Sequence, residues 1–378
     1  MAGIYIHIPF CKKFCIYCDF YKVISPENKD QFIQAIKKEA QTRQNYLSGE
    51  NISTIYFGGG TPSVLSVNEI RSVLEELNSL FSIEEKYEFT VEINPEDADL
   101  TYMKGLKRIG INRISLGIQS WKNEDLKFLN RRHDSTGAEK ALRSAMDAGF
   151  DNISIDLIYG LPGMSVSDLE MNLDKSLQYD IKHISAYHLT VEQGTILGKM
   201  KNEGLFNETD EEESTNQFNL LVEKAEQAGF IHYEISNFGK EGYFSRHNTN
   251  YWKQVNYIGL GPSAHSFNGY SRQWNVRDVK KYISSVNKDN LLFEKEELDI
   301  KTRFNEYIMV SLRTMWGIDL DYVERVFAKE GYDYIINLAN KFRDYGLMKQ
   351  DNKNLVLTNQ GKMISDNIIS EFMMVENS

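Results

Sequence analysis

The N-terminal half of this chain alternates between strand and helix patterns, and this alternation limits the fold to a few architectures. Six short apolar stretches have the length of buried strands, at residues 3–8, 53–62, 87–95, 112–120, 152–163 and 182–192. Amphipathic helix patterns separate them, and in the first of these Phe32, Ile36 and Ala40 lie on one face. Such alternation predicts an α/β fold with a parallel sheet and helices outside it. Right-handed crossovers would curl the sheet into a barrel or a partial barrel.

The rest of the chain changes character twice. The segment that begins at residue 231 is rich in strand patterns, glycines and aromatic side chains. From about Leu298 helix patterns follow, and then a short strand pair and a last helix, which is similar to a winged-helix-type α+β domain. We therefore predict three parts: a barrel at 1–230, a strand-rich extension at 231–290 and a small C-terminal domain at 291–378.

All three cysteines of the 378-residue chain lie within eight positions, as Cys11, Cys15 and Cys18 in the spacing C-x3-C-x2-C. A structural zinc site normally needs four cysteine or histidine ligands, and a disulfide framework needs an even number of cysteines in a secreted chain. Three thiolates instead suit three irons of a [4Fe–4S] cluster, because thiolate sulfur is the usual ligand of such clusters. The fourth iron would then have no protein ligand.

Composition and charge restrict the location and the partners. No run of 18 apolar residues exists, and the N-terminus shows no signal-peptide pattern, so we expect no membrane span and no secretion. Free cysteines and an oxygen-sensitive cluster favour the reducing cytoplasm. The formal net charge of −11 argues against a nucleic-acid partner, which would require a basic face.

Polar and glycine residues stand where several of the predicted strands end. Three glycines and Thr61 follow the second strand, and glycine allows the backbone to approach a ligand closely. Glu92 ends the third strand, and Gln119, Arg131 and Asp156 lie at or beyond later strand ends. Since barrel active sites lie at the C-terminal ends of the strands, we expect these side chains to form a polar cradle. Individually, each could equally be a solvated surface residue or a helix cap.

The cysteine spacing, with Tyr17 just before the last cysteine, resembles the radical S-adenosylmethionine (SAM) superfamily. The resemblance implies a six-stranded partial (β/α)6 barrel similar to a TIM barrel. It also implies that the open iron binds the amino and carboxylate groups of SAM, which an electron from the cluster cleaves to a 5′-deoxyadenosyl radical. The residues that it assigns to SAM binding are Tyr5, Tyr17, Gly59, Gly60, Thr61, Glu92, Gln119, Arg131 and Asp156.

A narrower resemblance spans nearly the whole chain. The segments YIHIPFC, FGGGTP, VEINPE, SLGIQS, DLIYGLPG and YEISNFG together resemble the oxygen-independent coproporphyrinogen III oxidase (HemN-like) family. The dehydrogenase branch has an additional cysteine just after the third one, where this chain has Asp19 and Phe20, and a longer extension before Cys11. Both differences favour the other branch, the HemW-type haem chaperones. That branch implies a protein that binds haem and passes it to respiratory acceptor proteins, some of them in membranes.

The segment SRHNTNYW at 245–252 matches the HNxxYW motif of that branch. Neutral imidazole is a good ligand for haem iron, so His247 is our candidate for haem contact. Tyr251 and Trp252 could pack on the macrocycle, and Arg246 could pair with a propionate. The alternative is that His247 is a polar residue bonded within the protein. The other histidines considered are His265 and His188 as further candidates, and His7 as a support of the cysteine loop.

Two further interpretations stay open at this point. One is a coproporphyrinogen III dehydrogenase, in which the adenosyl radical would abstract hydrogen from two propionate side chains before decarboxylation. The other is a radical SAM enzyme that acts on another tetrapyrrole or on a small substrate. The sequence also leaves open whether the protein is an enzyme, whether SAM is cleaved or only bound, and whether the chain forms a homodimer.

Overall fold

The computed structural model describes residues 1–24 and 27–374, and its central feature is a row of six parallel strands. Each strand pairs with the next one in the chain. The strands are β1 (Ala2–Ile8), β2 (Ile52–Gly59), β3 (Ile83–Ile93), β4 (Arg113–Gln119), β5 (Asn152–Tyr159) and β6 (His183–His188). The helices between them are α1 (Lys29–Thr42), α2 (Val67–Leu80), α3 (Leu100–Arg108), α4 (Asn123–Phe128), α5 (Ser135–Asp147) and α6 (Val166–Leu177). The predicted α/β partial barrel is therefore confirmed.

Local sequence explains why these elements begin and end where they do. Ser66 caps α2, and Glu69 completes the reciprocal capping box. The apolar side of α2 is buried against the sheet. The sixth strand was predicted to reach residue 192, but it ends at His188 because its neighbour β5 ends at Tyr159, just before a Gly-Leu-Pro turn.

The segment after β6 extends the same sheet at both of its ends. Strand β8 pairs antiparallel with β6, whereas β9 returns to the other side and pairs in parallel with β1. The added strands are β7 (Ile231–Glu234), β8 (Asn237–Gly239), β9 (Tyr257–Leu260), β10 (His265–Phe267), β11 (Ser271–Asn275) and β12 (Phe293–Glu297). The added helices are α7 (Ile196–Asn202), α8 (Glu211–Gln227), α9 (Arg246–Trp252) and α10 (Val279–Asn287). The described sheet thus has twelve strands.

The C-terminal part has an apolar core of its own, which runs from Phe304 to Phe372. Its helices are α11 (Ile300–Leu312), α12 (Leu320–Asp344), α13 (Asn359–Met363) and α14 (Ser365–Phe372). A three-stranded sheet completes it, with β13 (Ile318–Asp319), β14 (Met348–Asp351) and β15 (Asn354–Leu357). Ala328 interrupts the helical geometry of α12 with a φ of 59°. The three-part domain division stays a prediction. Among the described helices, none is long and apolar enough to cross a membrane.

A buried ion pair ties α1 to the strands that extend the barrel. Glu39 accepts hydrogen bonds from Arg43 at 2.9 Å and from the Gly261 amide at 2.9 Å. The same carboxylate accepts from Asn275 at 2.7 Å and from the Tyr282 hydroxyl at 2.7 Å. Its side chain is fully buried, so its charge is stabilised by these donors and not by water. The network fixes β9 and the following strands against α1.

Replacement of Glu39 by alanine should therefore destabilise the protein strongly. The change leaves the Arg43 guanidinium buried without its counter-charge, and we expect a loss of about 3–5 kcal/mol in the free energy of unfolding. Urea unfolding under anaerobic, reducing conditions measures this loss. The matched control is Glu139→Ala, because Glu139 forms the same i,i+4 pair with Arg143 on the exposed surface of α5. Equal losses in the two variants would contradict the structural role assigned to Glu39.

Candidate functional site

The cysteine loop leaves the C-terminal end of β1 and is closed by hydrogen bonds at its base. The Cys11 amide donates to the Val23 carbonyl at 3.0 Å, and the Val23 amide donates to the Pro9 carbonyl at 2.7 Å. His7 supports the loop from below, since its Nε2 donates to the Tyr21 carbonyl at 2.9 Å. The three thiols are half-buried and form no disulfide. The loop therefore presents them together at the end of the barrel where catalytic residues usually lie.

The donor set fits a cluster better than a single metal ion. In residues 1–24 and 27–374, no three His, Cys, Asp or Glu side chains converge closely enough to hold one ion. A [4Fe–4S] cube takes one thiolate on each of three irons, so its ligand sulfurs stay apart. Two donors already point at the sulfurs: Thr61 Oγ1 lies 3.3 Å from Cys11 Sγ, and Arg131 Nη1 lies 3.3 Å from Cys15 Sγ. Burial raises the pKa of Cys11 to about 11, so ligation would release its proton.

The glycine turn at the end of β2 touches the cysteine loop directly. A Cβ on Gly60 would lie 2.9 Å from the Ile8 carbonyl oxygen and 3.0 Å from that of Phe10. Gly59 has a φ of +108°, which favours glycine, and a Cβ there would collide with the His7 ring at 2.7 Å. These two glycines allow the glycine turn to lie in close contact with the backbone of the cysteine loop.

Arg131 connects the cysteine loop with the ends of β3 and β4. Its Nη2 donates to Asn94 Oδ1 and to the Gly117 carbonyl, each at 2.8 Å. Its Nε is buried and has no hydrogen-bond partner in the described part of the chain. A buried unsatisfied donor is costly, which indicates an acceptor from a ligand. The carboxylate of SAM is an acceptor of suitable charge.

A cavity of about 430 Å³ lies beside this arginine. Seven of the nine residues assigned to SAM line it: Tyr17, Gly60, Thr61, Glu92, Gln119, Arg131 and Asp156. The other two, Tyr5 and Gly59, line the neighbouring cavity. The structure thus brings the predicted set together around two adjoining spaces, and its role in SAM binding stays a prediction. Sequence reasoning missed Ser115 and Tyr187 in this wall, although both lie on predicted strands.

Two buried carboxyl groups in the wall of this cavity, those of Glu92 and Asp156, have raised pKa values. Burial, opposed by hydrogen bonds from Tyr56 at 2.8 Å and the Gly59 amide at 3.2 Å, raises the pKa of Glu92 to about 7. Burial also raises the pKa of Asp156 to about 6, although Ser115 donates to it at 2.9 Å. The nearby Asp156 carboxylate also raises the pKa of Glu92 through like-charge repulsion. A cationic ligand, such as the sulfonium and ammonium groups of SAM, would favour their ionised forms.

His247 lies in a different environment from the one expected of an iron ligand. Its side chain is buried, and its Nδ1 is hydrogen-bonded to the Thr54 hydroxyl at 2.8 Å. Its Nε2 is hydrogen-bonded to the Tyr251 hydroxyl at 2.8 Å, and its ring stacks on Tyr56 at 4.9 Å. Iron ligation would have to break one of these bonds. The geometry corresponds to the alternative given above, a histidine bonded within the protein.

A second and larger cavity of about 730 Å³ adjoins the first. The two share Asp19, Phe20, Glu92 and Tyr187 in their walls. Its remaining wall is mainly aromatic and includes His265 and two arginines. Three residues of the HNxxYW motif, His247, Asn248 and Tyr251, line this wall. Arg246, which precedes the motif, instead donates to the Lys86 carbonyl.

The partial barrel and the three-cysteine loop define a radical SAM protein, and residues 5–175 match the Radical SAM superfamily. The solved structure of coproporphyrinogen III oxidase (HemN) from Escherichia coli is similar in fold, with a TM-score of 0.84 at 22% identity over 98% of this chain and 89% of that one. Heme chaperone HemW of Bacillus subtilis is 30% identical over 99% of both chains. Heme chaperone HemW of Lactococcus lactis is 32% identical over 98% of this chain and 97% of its own. The chain belongs to the HemW family.

Gly60→Ala should impair cluster assembly, because the added methyl group would displace the fixed backbone of the cysteine loop. We expect a substantial fall in iron and sulfide bound per chain after anaerobic reconstitution. Cys15→Ser gives the floor of this assay, and Gly137→Ala is the control, since its Cβ would lie 3.4 Å or more from its neighbours. Normal cluster content in Gly60→Ala would contradict the contact described here.

SAM binding should strengthen as the pH rises towards the raised pKa of Glu92. Below a pKa of about 7 the folded protein holds a proton on this carboxyl, which a cationic ligand must displace. For each proton that binding releases, the affinity for SAM should rise by up to about tenfold per pH unit. Equilibrium dialysis of reconstituted protein between about pH 5.5 and 8 measures it. Glu92→Gln should flatten the profile, and an unchanged slope in that variant would refute the assignment of Glu92.

Proposed function

We propose that this protein is a haem chaperone that carries a [4Fe–4S] cluster and SAM, binds haem and delivers it to acceptor proteins. The observation that carries the proposal is the 730 Å³ cavity beside the cysteine loop, with aromatic walls and two arginines. Cavities of about 300–1,000 Å³ with apolar walls and a few polar groups are typical of ligand sites. The full-length relatives named heme chaperone HemW support haem as the ligand.

In this proposal the chain's own residues hold the two cofactors. Cys11, Cys15 and Cys18 would hold the cluster, which would supply the electron if bound SAM is cleaved. Thr61 and Arg131 donate hydrogen bonds to two of the three sulfurs, and charge-assisted bonds of this kind stabilise thiolates. Glu92 and Asp156 would accept hydrogen bonds from the ammonium group of SAM and attract its sulfonium by charge, while Tyr17, Gly60 and Gln119 would shape the cavity around it.

The haem would lie in the larger cavity. Tyr251, Tyr257 and Phe267 offer flat apolar surface for a macrocycle. Arg277 supplies positive charge for a propionate within a chain that is acidic overall, and Arg272, which is paired with Glu306, supplies less. His247 would act indirectly in this arrangement, since its hydrogen bond holds the Tyr251 hydroxyl in the wall.

We place the protein in the cytoplasm, because three free thiols and an exposed cluster site suit a reducing compartment. The acceptors would be haem proteins, including respiratory ones in membranes. A homodimer would be compatible with this role, and so would a monomer. The coproporphyrinogen III dehydrogenase alternative has less support, because Asp19 and Phe20 follow Cys18 where that branch has a further cysteine.

Blocking the larger cavity should prevent haem binding. We expect the reconstituted parent to show a saturable Soret change at about one haem per chain. In Val310→Trp the larger side chain projects from the wall into the cavity, so this variant should bind haem at least about tenfold more weakly. Met171→Trp, which adds the same side chain at an exposed position of α6, is the matched control.

Two outcomes would contradict the proposal. One is a parent protein that gives no saturable haem spectrum. The other is anaerobic conversion of coproporphyrinogen III to protoporphyrinogen by the parent with SAM and a reductant, which would establish the dehydrogenase instead.

A further inference from the structure

The histidines of the chain differ sharply in what their ring nitrogens contact. His133, His183 and His232 are buried away from the larger cavity and bonded within the protein. His188 lies at the smaller cavity and is bonded to the Ser214 hydroxyl at 3.1 Å. His265 is exposed, and neither of its ring nitrogens has a hydrogen-bond partner in the part of the chain that the structure describes.

Three histidines line the larger cavity, and two of them are already occupied. His7 accepts from the Tyr5 hydroxyl at 3.1 Å and donates to the Tyr21 carbonyl. His247 is bonded through both nitrogens, as described above. His265 therefore alone among the three offers a free imidazole nitrogen to a ligand in this cavity.

Strand β10 holds His265 in one orientation. Side chains alternate along a strand, and the neighbouring Ser266 is buried and bonded to the Gly259 amide at 2.9 Å. His265 and Phe267 therefore point to the opposite face, towards the cavity. Across the β10–β11 pair the His265 ring stacks on Trp274 with 5.9 Å between centroids. Stacking occupies a face of the ring and leaves its edge, which carries the nitrogens, free.

The base of this wall is rigid. Arg43 donates to the Gly259 carbonyl at 2.9 Å and to the Ser266 hydroxyl at 2.9 Å, and its partner is the buried Glu39. A metal-binding side chain works best on an element that packing holds in place. The ion-pair network of α1 thus lies directly behind the strand that carries His265.

The two arginines of the cavity are not equivalent. Arg272 is paired with Glu306 at 2.5 Å, which neutralises much of its charge. Arg277 is exposed, donates to the Asp19 backbone carbonyl at 2.8 Å, and lies 3.9 Å from the Asp19 carboxylate. Arg277 can therefore turn its guanidinium to a carboxylate ligand at little cost.

We infer that His265 is the protein ligand of the haem iron in the larger cavity and that Arg277 binds a haem propionate. The inference rests on the proposed haem-chaperone function and adds to it the residues that recognise the cargo.

Haem titration of the reconstituted parent, His265→Ala and the conservative His265→Gln tests the iron ligand. We expect both variants to lose the absorbance and EPR signature of histidine-ligated ferric haem and to bind haem at least about tenfold more weakly. Added imidazole should restore the signature in His265→Ala. Tyr270→Ala, at the exposed tip of the same hairpin, is the control for folding of β10 and β11. A parental spectrum in both His265 variants would overturn the assignment. A parent that fails to bind haem would overturn the proposed function itself.

The propionate contact has its own test. Arg277→Gln should weaken haem binding by about tenfold or more, since a charge-assisted bond is lost. The same variant should bind the dimethyl ester of haem as tightly as the parent does. An equal loss for haem and for its ester would refute the propionate contact, because the ester has no carboxylate to pair with Arg277.

Discussion

Strand β1 pairs in parallel with β2 on one side and with β9 on the other, and the arrangement of both cavities depends on these two pairings. On the first side the register sets His7 against Gly58 and Ile8 against Gly59, so the cysteine loop leaves β1 next to the glycine turn. On the second side Ile6 faces Leu260, and the chain then turns into the β10–β11 hairpin. One strand therefore places the cysteine loop between a SAM-type pocket and a cavity suited to a larger ligand.

Buried charge is distributed unevenly around that strand. Behind the second cavity, the Glu39 carboxylate is fully satisfied by four donors and acts as a structural element. In the first cavity Glu92 and Asp156 have fewer donors, and their pKa values are raised by burial. Arg131 retains a buried donor without a partner. The charged group whose hydrogen bonds are complete within the protein lies in the scaffold, whereas the charged groups with incomplete hydrogen bonding face the cavity, where a ligand can complete it.

The barrel was predictable because each β–α unit is encoded locally, by a short apolar run and an amphipathic helix. The cysteine spacing is equally local, and it was sufficient to predict that the three cysteines lie on one loop. The return of β9 to β1 was not predictable in this way, because residues 3–6 and 257–260 are far apart in sequence and neither stretch specifies its partner. The contacts of His247 could not be predicted from its motif for the same reason, since Thr54 and Tyr56 belong to a strand almost two hundred positions earlier. His265 carried no motif at all, and only the free edge of its ring in the folded chain singles it out.

The two cavities are also connected chemically. Glu92 lines both of them and accepts from Tyr56, the Tyr56 ring stacks on His247, and His247 is hydrogen-bonded to Tyr251 in the wall of the larger cavity. Each link is buried, so the chain of contacts is shielded from solvent and its electrostatic interactions are strong. A cation that ionises Glu92 from the smaller cavity would change the charge facing the larger one by up to one unit. Under the proposed function, SAM in the smaller cavity and haem in the larger one would therefore both act on the Glu92 carboxyl group.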